Sequence, residues 1–227
     1  ETAQAGLDLG YPITENQTIR FGVSLQRAEL ATVSYSSKQL RDWVRDNGDS
    51  YFRRAGSDYL LGTRADLVEL SSGWAYENRD RTLFPTRGSM HRLLVSSTLP
   101  GSPIEYMTAT YQYQQFFRLP FVPLLDIVPF SFSTRLGYGK AFGETTAVPP
   151  NRHFLIGGPG SVRGFREGSL GPRDSLGNPY GGDVALSGQI EAIVPIGQKF
   201  ASTARVSLFF DFGQAFYLGG SFEFRVG

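Results

Sequence analysis

The chain has 227 residues, 41% of them hydrophobic, with 27 glycines and 14% aromatics. That balance excludes a helical membrane bundle and a disordered chain, and suits a β protein with aromatic girdles and close backbone contacts. A formal net charge of +1 offers no field for nucleic acid or an acidic partner, and the absence of cysteine excludes a disulfide scaffold and thiolate metal sites.

Period-two alternation begins at once. Leu7, Leu9, Tyr11 and Ile13 point one way, opposite Gly6, Asp8 and Gly10. After a tight connection, Ile19, Phe21, Val23 and Leu25 oppose Arg20, Gly22, Ser24 and Gln26. Residues about 31–61 form a long connection. Its mixed-charge cluster, Arg41-Asp42-Trp43-Val44-Arg45-Asp46, reads as an exposed loop or a short surface helix.

Alternation then resumes. Val68, Leu70, Trp74 and Tyr76 oppose Glu69, Ser71, Gly73 and Glu77. A tight turn from Leu83 to Gly88 leads into two less regular segments, about 89–99 and 104–118. The most apolar run, Leu119 to Phe130, contains three prolines and Asp126 and is shorter than the ~20 residues a spanning helix needs. Val128, Phe130, Phe132, Leu136 and Tyr138 oppose Ser131, Ser133, Arg135, Gly137 and Gly139. Past a second long connection, about 143–182, Val184, Leu186, Ile190, Val194 and Ile196 share a face, with Ser187, Gln189 and Glu191 behind them. A tight turn from Gly197 to Ser202 precedes the next segment. There Val206, Leu208, Phe210 and Phe212 share a face, with Arg205, Ser207, Asp211 and Gly213 behind.

This pattern fits a soluble sandwich, whose apolar face is the core, or a transmembrane barrel, whose apolar face meets lipid. The segments match or exceed the ~9–11 residues of a tilted spanning strand, whereas sandwich strands average about 5–6. Aromatics mark the segment ends, as at Tyr11, Tyr76, Phe84, Phe116, Phe117, Tyr138, Phe142, Phe216 and Tyr217. Short connections alternate with long ones, as periplasmic turns alternate with external loops. The fold class predicted is all-β: an antiparallel transmembrane β-barrel. Roughly nine or ten candidate strands, no basic or apolar leader, and a last segment (Ser221 to Gly227) without a terminal Phe or Trp predict a fragment. The whole of 1–227 is then barrel, with any periplasmic domains lying outside it.

Residues 151–182 are rich in glycine, and a loop this long inside a compact domain is rarely idle. After Phe154-Leu155-Ile156, read as the end of a strand that starts at His153, comes Gly157-Gly158. Ser161-Val162-Arg163-Gly164-Phe165 follows. This run resembles the signature of the BamA superfamily of outer-membrane assembly and transport barrels. Arg81-Thr82-Leu83-Phe84-Pro85-Thr86-Arg87-Gly88 resembles the family's periplasmic turn. Gln189-Ile190-Glu191-Ala192-Ile193-Val194-Pro195 and Phe209-Phe210-Asp211-Phe212-Gly213 resemble the two strands after its loop. The four pieces keep the family's order from the first strand to about residue 217.

The resemblance implies part of a barrel of roughly sixteen strands with a long loop folded into the lumen. It makes Arg163 the motif arginine, held there by Glu191 and Asp211, and the alternation independently puts both acids on the polar face. Such a fork of charge-assisted hydrogen bonds is strong and directional. Gly164 suits a loop tip that needs positive φ or close backbone approach, and Phe165 is expected to pack on the inner wall. Val162 completes the motif.

No catalytic constellation stands out, and an enzyme is not expected. His91 shares a face with Leu93 and Val95 and reads as interfacial. No cofactor and no metal site is expected, since phosphate-binding glycine loops and clusters at metal-ligand spacing are both missing from the sequence. The resemblance implies insertion of β-barrel proteins into the outer membrane of a Gram-negative bacterium. The barrel would do so through a weakly paired seam that accepts a substrate strand, beside a locally thinned bilayer. Its implied partners are unfolded outer-membrane proteins, accessory lipoproteins of an assembly complex and outer-membrane lipid. Two alternatives share features with it. One is a sibling translocation and assembly module barrel or two-partner secretion transporter, which carries the same motif. The other is a passive porin, whose constriction shows opposed rows of charge that this glycine-rich loop lacks.

Overall fold

The computed structural model describes residues 2–56, 58–82, 85–118, 128–194 and 206–218. The turn expected at 197–202, Leu83 and Phe84 of the earlier turn, residues 119–127 of the apolar run, Pro195, Ile196, Arg205 and the segment 221–227 lie outside the described residues.

Among the described residues the alternating segments are strands, and one further strand, Asp49–Ala55, joins them. They are β1 (Thr2–Thr14), β2 (Gln17–Thr32), β3 (Asp49–Ala55), β4 (Asp58–Glu77), β5 (Gly88–Thr98), β6 (Tyr106–Arg118), β7 (Pro129–Ala141), β8 (Val184–Val194) and β9 (Val206–Phe216). They form one nine-stranded antiparallel sheet in the order β1-β2-β4-β5-β6-β7-β8-β9, with β3 paired to the far part of β4. Apart from β3, strands that follow one another in sequence lie side by side, even across the long connections. At one end Thr14 pairs with Gln17 across Glu15 and Asn16. At the same end the Asp80 carboxylate accepts the Thr86 N–H at 2.8 Å, the Thr86 hydroxyl at 2.8 Å and the Arg87 N–H at 3.2 Å. Burial alone would raise the Asp80 pKa, but these donors outweigh it and lower it.

The burial pattern inverts that of a soluble sandwich. Leu7, Leu9, Phe21, Leu25, Leu136, Ile190 and Leu208 are exposed, while Gln26, Glu69, Thr98, Ser131, Ser187 and Asp211 are buried. The apolar face is uncovered, and the long connections lie against the polar one. Aromatic residues gather on the apolar face near the short-turn end. His91 sits among Trp74, Tyr76, Tyr111 and Tyr113, with ring centroids 4.7–6.2 Å apart, and its Nδ1 lies 2.9 Å from the Tyr111 hydroxyl.

The excursion at 31–61 is more ordered than a loop. Lys38–Asp46 form helix α1, which buries Trp43 and Val44 against Ala65, Leu67, Ile104 and Tyr106 while Arg41 and Arg45 face out. The mixed charges belong to one face, and the apolar pair between them anchors the other. Beyond it, β3 zips onto β4 from Asp49↔Arg64 to Ala55↔Asp58, so β4 starts well before the alternation of Val68 to Tyr76.

The second excursion packs on the first. The Trp43 indole donates to the Ala147 carbonyl at 3.0 Å, and Asn47 exchanges hydrogen bonds with Thr146. The Lys38 N–H at the start of α1 donates to the Ser175 hydroxyl at 2.8 Å, and the Ser175 N–H donates to the Gln39 side chain at 2.9 Å. The strand expected to start at His153 and end at Ile156 is absent. Pro149 and Pro150 set up a short 3₁₀ turn, Pro150–Arg152, and only an isolated bridge, Phe154↔Gly182, follows. Prolines remove ladder donors, and the left-handed backbone of Gly157 and Gly158 turns the chain away from any sheet edge.

Candidate functional site

The loop between β7 and β8 crosses the polar face and brings Arg163 down onto β8 and β9. A tight turn aims it. Gly158 N–H donates to the Val162 carbonyl at 3.1 Å, Ser161 N–H donates to the Gly158 carbonyl at 3.1 Å, and Gly157 N–H donates to the Ser161 hydroxyl at 2.8 Å. The wall holds this turn through Gln189, whose amide donates to the Ser161 carbonyl at 3.0 Å.

Arg163 then uses its whole fork. Nε and Nη2 meet the two Asp211 carboxylate oxygens, each at 2.7 Å, and Nη1 meets Glu191 at 2.7 Å. Its backbone N–H also donates to Asp211 at 2.9 Å, so that carboxylate takes three bonds from one residue. Asp211 is 0% exposed, and the side chain of Arg163 is 25% exposed. The Glu191 carboxylate also accepts the Ser207 hydroxyl at 3.0 Å. Hydrogen bonding to Asp211 first, and then to Glu191, holds the guanidinium proton above its ordinary pKa against the opposing pull of burial.

Strand periodicity brings these groups together. Ser207, Phe209 and Asp211 alternate along one face of β9, and Glu191 pairs with Phe209 in the β8–β9 ladder. Phe209 is the site residue that sequence reasoning missed. Its ring lies 3.7 Å from the Arg163 guanidinium carbon, a stacked cation–π contact on a surface otherwise made of acids and a hydroxyl. Its parity, shared with Ser207 and Asp211, was the available signal, but the apolar run Leu208-Phe209-Phe210 concealed it.

The other motif residues fix the geometry. Val162 is 0% exposed in a cluster with Ile156, Leu170, Ala185 and Ala215, and Phe165 packs against that cluster half-buried. Ala185 and Ala215 belong to the wall, so this cluster joins loop to sheet. The Ala215 N–H also donates to the Leu170 carbonyl at 2.8 Å. Gly164 has φ +85°, and nothing lies within 4 Å of where a Cβ would stand. Its glycine answers to backbone conformation, not to space. At Gly137 the reverse holds: the Phe154 ring lies over it, and a Cβ would stand 2.7 Å from that ring.

The two histidines lie apart from Arg163. His91 belongs to the aromatic group on the apolar face. The nearly enclosed His153 ring stands edge-on to Tyr180 and Tyr217, its Nδ1 3.0 Å from the Tyr180 carbonyl and its Nε2 3.6 Å from Asp183. Among the described residues no three His, Asp or Glu side chains gather as metal ligands would.

Residues 1–225 match the Omp85 superfamily domain. The chain is 31% identical over 217 residues, 93% of its length, to the outer membrane protein assembly factor BamA of Neisseria meningitidis. It is 29% identical over 136 residues to the sorting assembly machinery 50 kDa subunit of Saccharomyces cerevisiae. It spans about a quarter of each relative's length, 26% in both cases. The crystal structure of BamA from Haemophilus ducreyi lacking POTRA domains 1-3 superposes with a TM-score of 0.82 at 25% identity, covering 94% of this chain and 41% of that one. The open sheet is therefore a sector of an antiparallel β-barrel.

Proposed function

Because this chain belongs to the Omp85 superfamily, we propose that it is part of a barrel that folds and inserts other β-barrel proteins into the outer membrane of a Gram-negative bacterium. The observation that carries the proposal is the clasp of Arg163 by Asp211 and Glu191, which fastens a 42-residue-scale connection to the polar wall, roughly the length expected of a functional loop and not of a turn. The relatives named as assembly factors and sorting machinery favour assembly over export.

In this reading the polar face lines the lumen and the loop plugs it. The apolar face meets lipid, with the aromatic group around His91 at the periplasmic interface. The work is mechanical, not enzymatic. Unfolded outer-membrane proteins are the substrates, and a weakly paired seam of the complete barrel accepts their strands by β-augmentation. Accessory lipoproteins act with it, and no cofactor is required. The clasp keeps the lumen closed and the wall of β8 and β9 rigid while the seam opens, because a buried two-acid fork resists displacement by water.

The test is complementation of a depleted strain by the full-length protein, wild type or Arg163→Ala, with folded outer-membrane proteins measured by heat-modifiable gel migration. Wild type restores them and Arg163→Ala does so only weakly. Depletion that blocks export of one secreted protein and spares the other barrels would support the sibling transporter. A large, steady single-channel conductance indifferent to Arg163→Ala would put the porin in its place.

A further inference from the structure

A second arginine of the loop is fastened to the sheet, eleven positions before Arg163 in the numbering. Arg152 Nη2 donates to Glu69 Oε2 at 2.8 Å and to the Gln26 side-chain oxygen at 3.1 Å. The Tyr106 hydroxyl donates to the same Glu69 oxygen at 2.7 Å, and the guanidinium carbon lies 5.5 Å over the Tyr106 ring. Gln26, Glu69 and Tyr106 are 5%, 8% and 2% exposed. They come from β2, β4 and β6, a part of the wall that shares no strand with the Arg163 site. Four strand spacings, about 19 Å along the sheet, separate β4 from β8.

Two features show that this contact is built and not incidental. The diproline turn Pro150–Arg152 fixes the direction in which the arginine leaves the backbone. Glu69 offers one oxygen to two donors, one from the loop and one from β6, so removing Arg152 leaves a buried carboxylate held, among the described residues, by Tyr106 alone. A cavity of about 410 Å³, lined among others by Trp43, Leu67 and Pro149, lies alongside, so water has a place to enter once the arginine lifts.

We propose that Arg152 is a positioning residue that latches the first limb of the loop to β2, β4 and β6 independently of Arg163. The loop is then a strut between two anchors, and freeing either end leaves the other engaged. This rests on the plug reading of the loop. If it holds, the plug has two separable states of partial release, one opening beneath α1 and the other over β8 and β9.

The chain has no cysteine, so an introduced one reports alone within it. In the full-length protein in its membrane, Leu67→Cys lies buried beside Gln26 on the Arg152 side, and Ala215→Cys lies buried under the loop on the Arg163 side. The readout is the labelling rate by a membrane-impermeant maleimide, taken only from the heat-modifiable, folded population. Arg152→Gln is expected to speed labelling at Leu67→Cys roughly tenfold and to change Ala215→Cys by less than about twofold, with Arg163→Ala doing the reverse. The exchanged pair Arg152→Glu with Glu69→Arg is expected to bring the Leu67→Cys rate back toward wild type. Arg152→Lys, which keeps the charge and gives up the fork, serves if Arg152→Gln does not fold, and is expected to show a smaller rise of the same kind. An unchanged rate at Leu67→Cys, an equal rise at both reporters, or an exchange that fails to restore the rate would overturn the proposal. Labelling is scored apart from assembly, so loss of the assembly reading leaves these differences in place, and loss of the latch leaves complementation untouched.

Discussion

The two faces of the sheet are made by the same strands and meet opposite surroundings. On the apolar face Leu7, Leu9 and Leu208 are 75%, 76% and 72% exposed. Three residues past Leu208, on the polar face of the same strand, Asp211 is completely enclosed. A soluble β protein buries its leucines and wets its carboxylates, and here the roles are exchanged. The polar face is covered by its own loop, through directional bonds to acids and amides together with a small apolar cluster. Nothing among the described residues covers the apolar face, because its solvent is lipid. Specificity in the interior therefore rests largely on hydrogen-bond geometry, while the exterior needs only to be apolar at the right height.

Asp211→Ala is the strongest way to break that contrast. It strands the Arg163 fork and orphans the Arg163 N–H together, so a loss of about 3–5 kcal/mol is expected in urea unfolding followed by heat-modifiable migration. Arg163→Ala should cost less, because the backbone N–H of residue 163 still reaches Asp211. A larger effect from the arginine than from the acid would refute this account of the clasp.

Leu9→Arg tests the other face. Leu9 pairs with Phe21 in the middle of the apolar belt. In a bilayer the substitution should cost roughly 2–4 kcal/mol, although an exposed leucine in a soluble protein tolerates arginine almost freely. Unchanged stability in lipid vesicles would mean that this face does not meet hydrocarbon.

Gly137→Val sharpens the boundary between loop and wall. The new side chain must displace the Phe154 ring, at an expected cost of about 1–3 kcal/mol. Limited proteolysis within 153–182 should quicken as that limb lifts. Equal protease resistance would show that Phe154 does not hold it.

The smallest effect concerns pH at the Asp80 turn. Hydrogen bonds lower the Asp80 pKa in the folded chain, so its stabilisation is fully present above the unfolded value and is lost as pH falls through the depressed folded one. Thr86→Ala removes one donor and should move that loss to higher pH. A carboxylate titration of Asp80 by nuclear magnetic resonance that is indifferent to Thr86→Ala would contradict the assignment.

Strand patterning is legible wherever one face is uniformly apolar, and alternation alone puts Glu191 and Asp211 on the polar side. It fails where a side chain serves a local purpose against its type. Trp43 and Val44 read as part of a charged cluster because a nine-residue helix offers too few turns for a clear helical period. In β3, Tyr51-Phe52-Arg53-Arg54 gives no alternation, since that hairpin stands on β4 without a continuous apolar belt. Phe154-Leu155-Ile156 looks like a strand by composition, but its three side chains have different tasks. Phe154 roofs Gly137, Leu155 is exposed, and Ile156 is buried with Val162. Arg152 carried no signal at all. Its partners come from three distant strands, and only the folded sheet gathers them.

The spacing of the loop's partners along the chain sets an order of events. Arg163 meets Glu191 and Asp211 across 28 and 48 residues, and Arg152 meets Glu69 across 83. The β1–β2 hairpin, by contrast, closes across a two-residue turn. Closing long loops is slow relative to zipping adjacent strands, because chain entropy is lost before any contact rewards it. The lipid-facing surface can therefore be complete while the interior is still wet, and fastening the two arginines becomes a late step in the biogenesis of this chain. A barrel built this way is finished from the outside in.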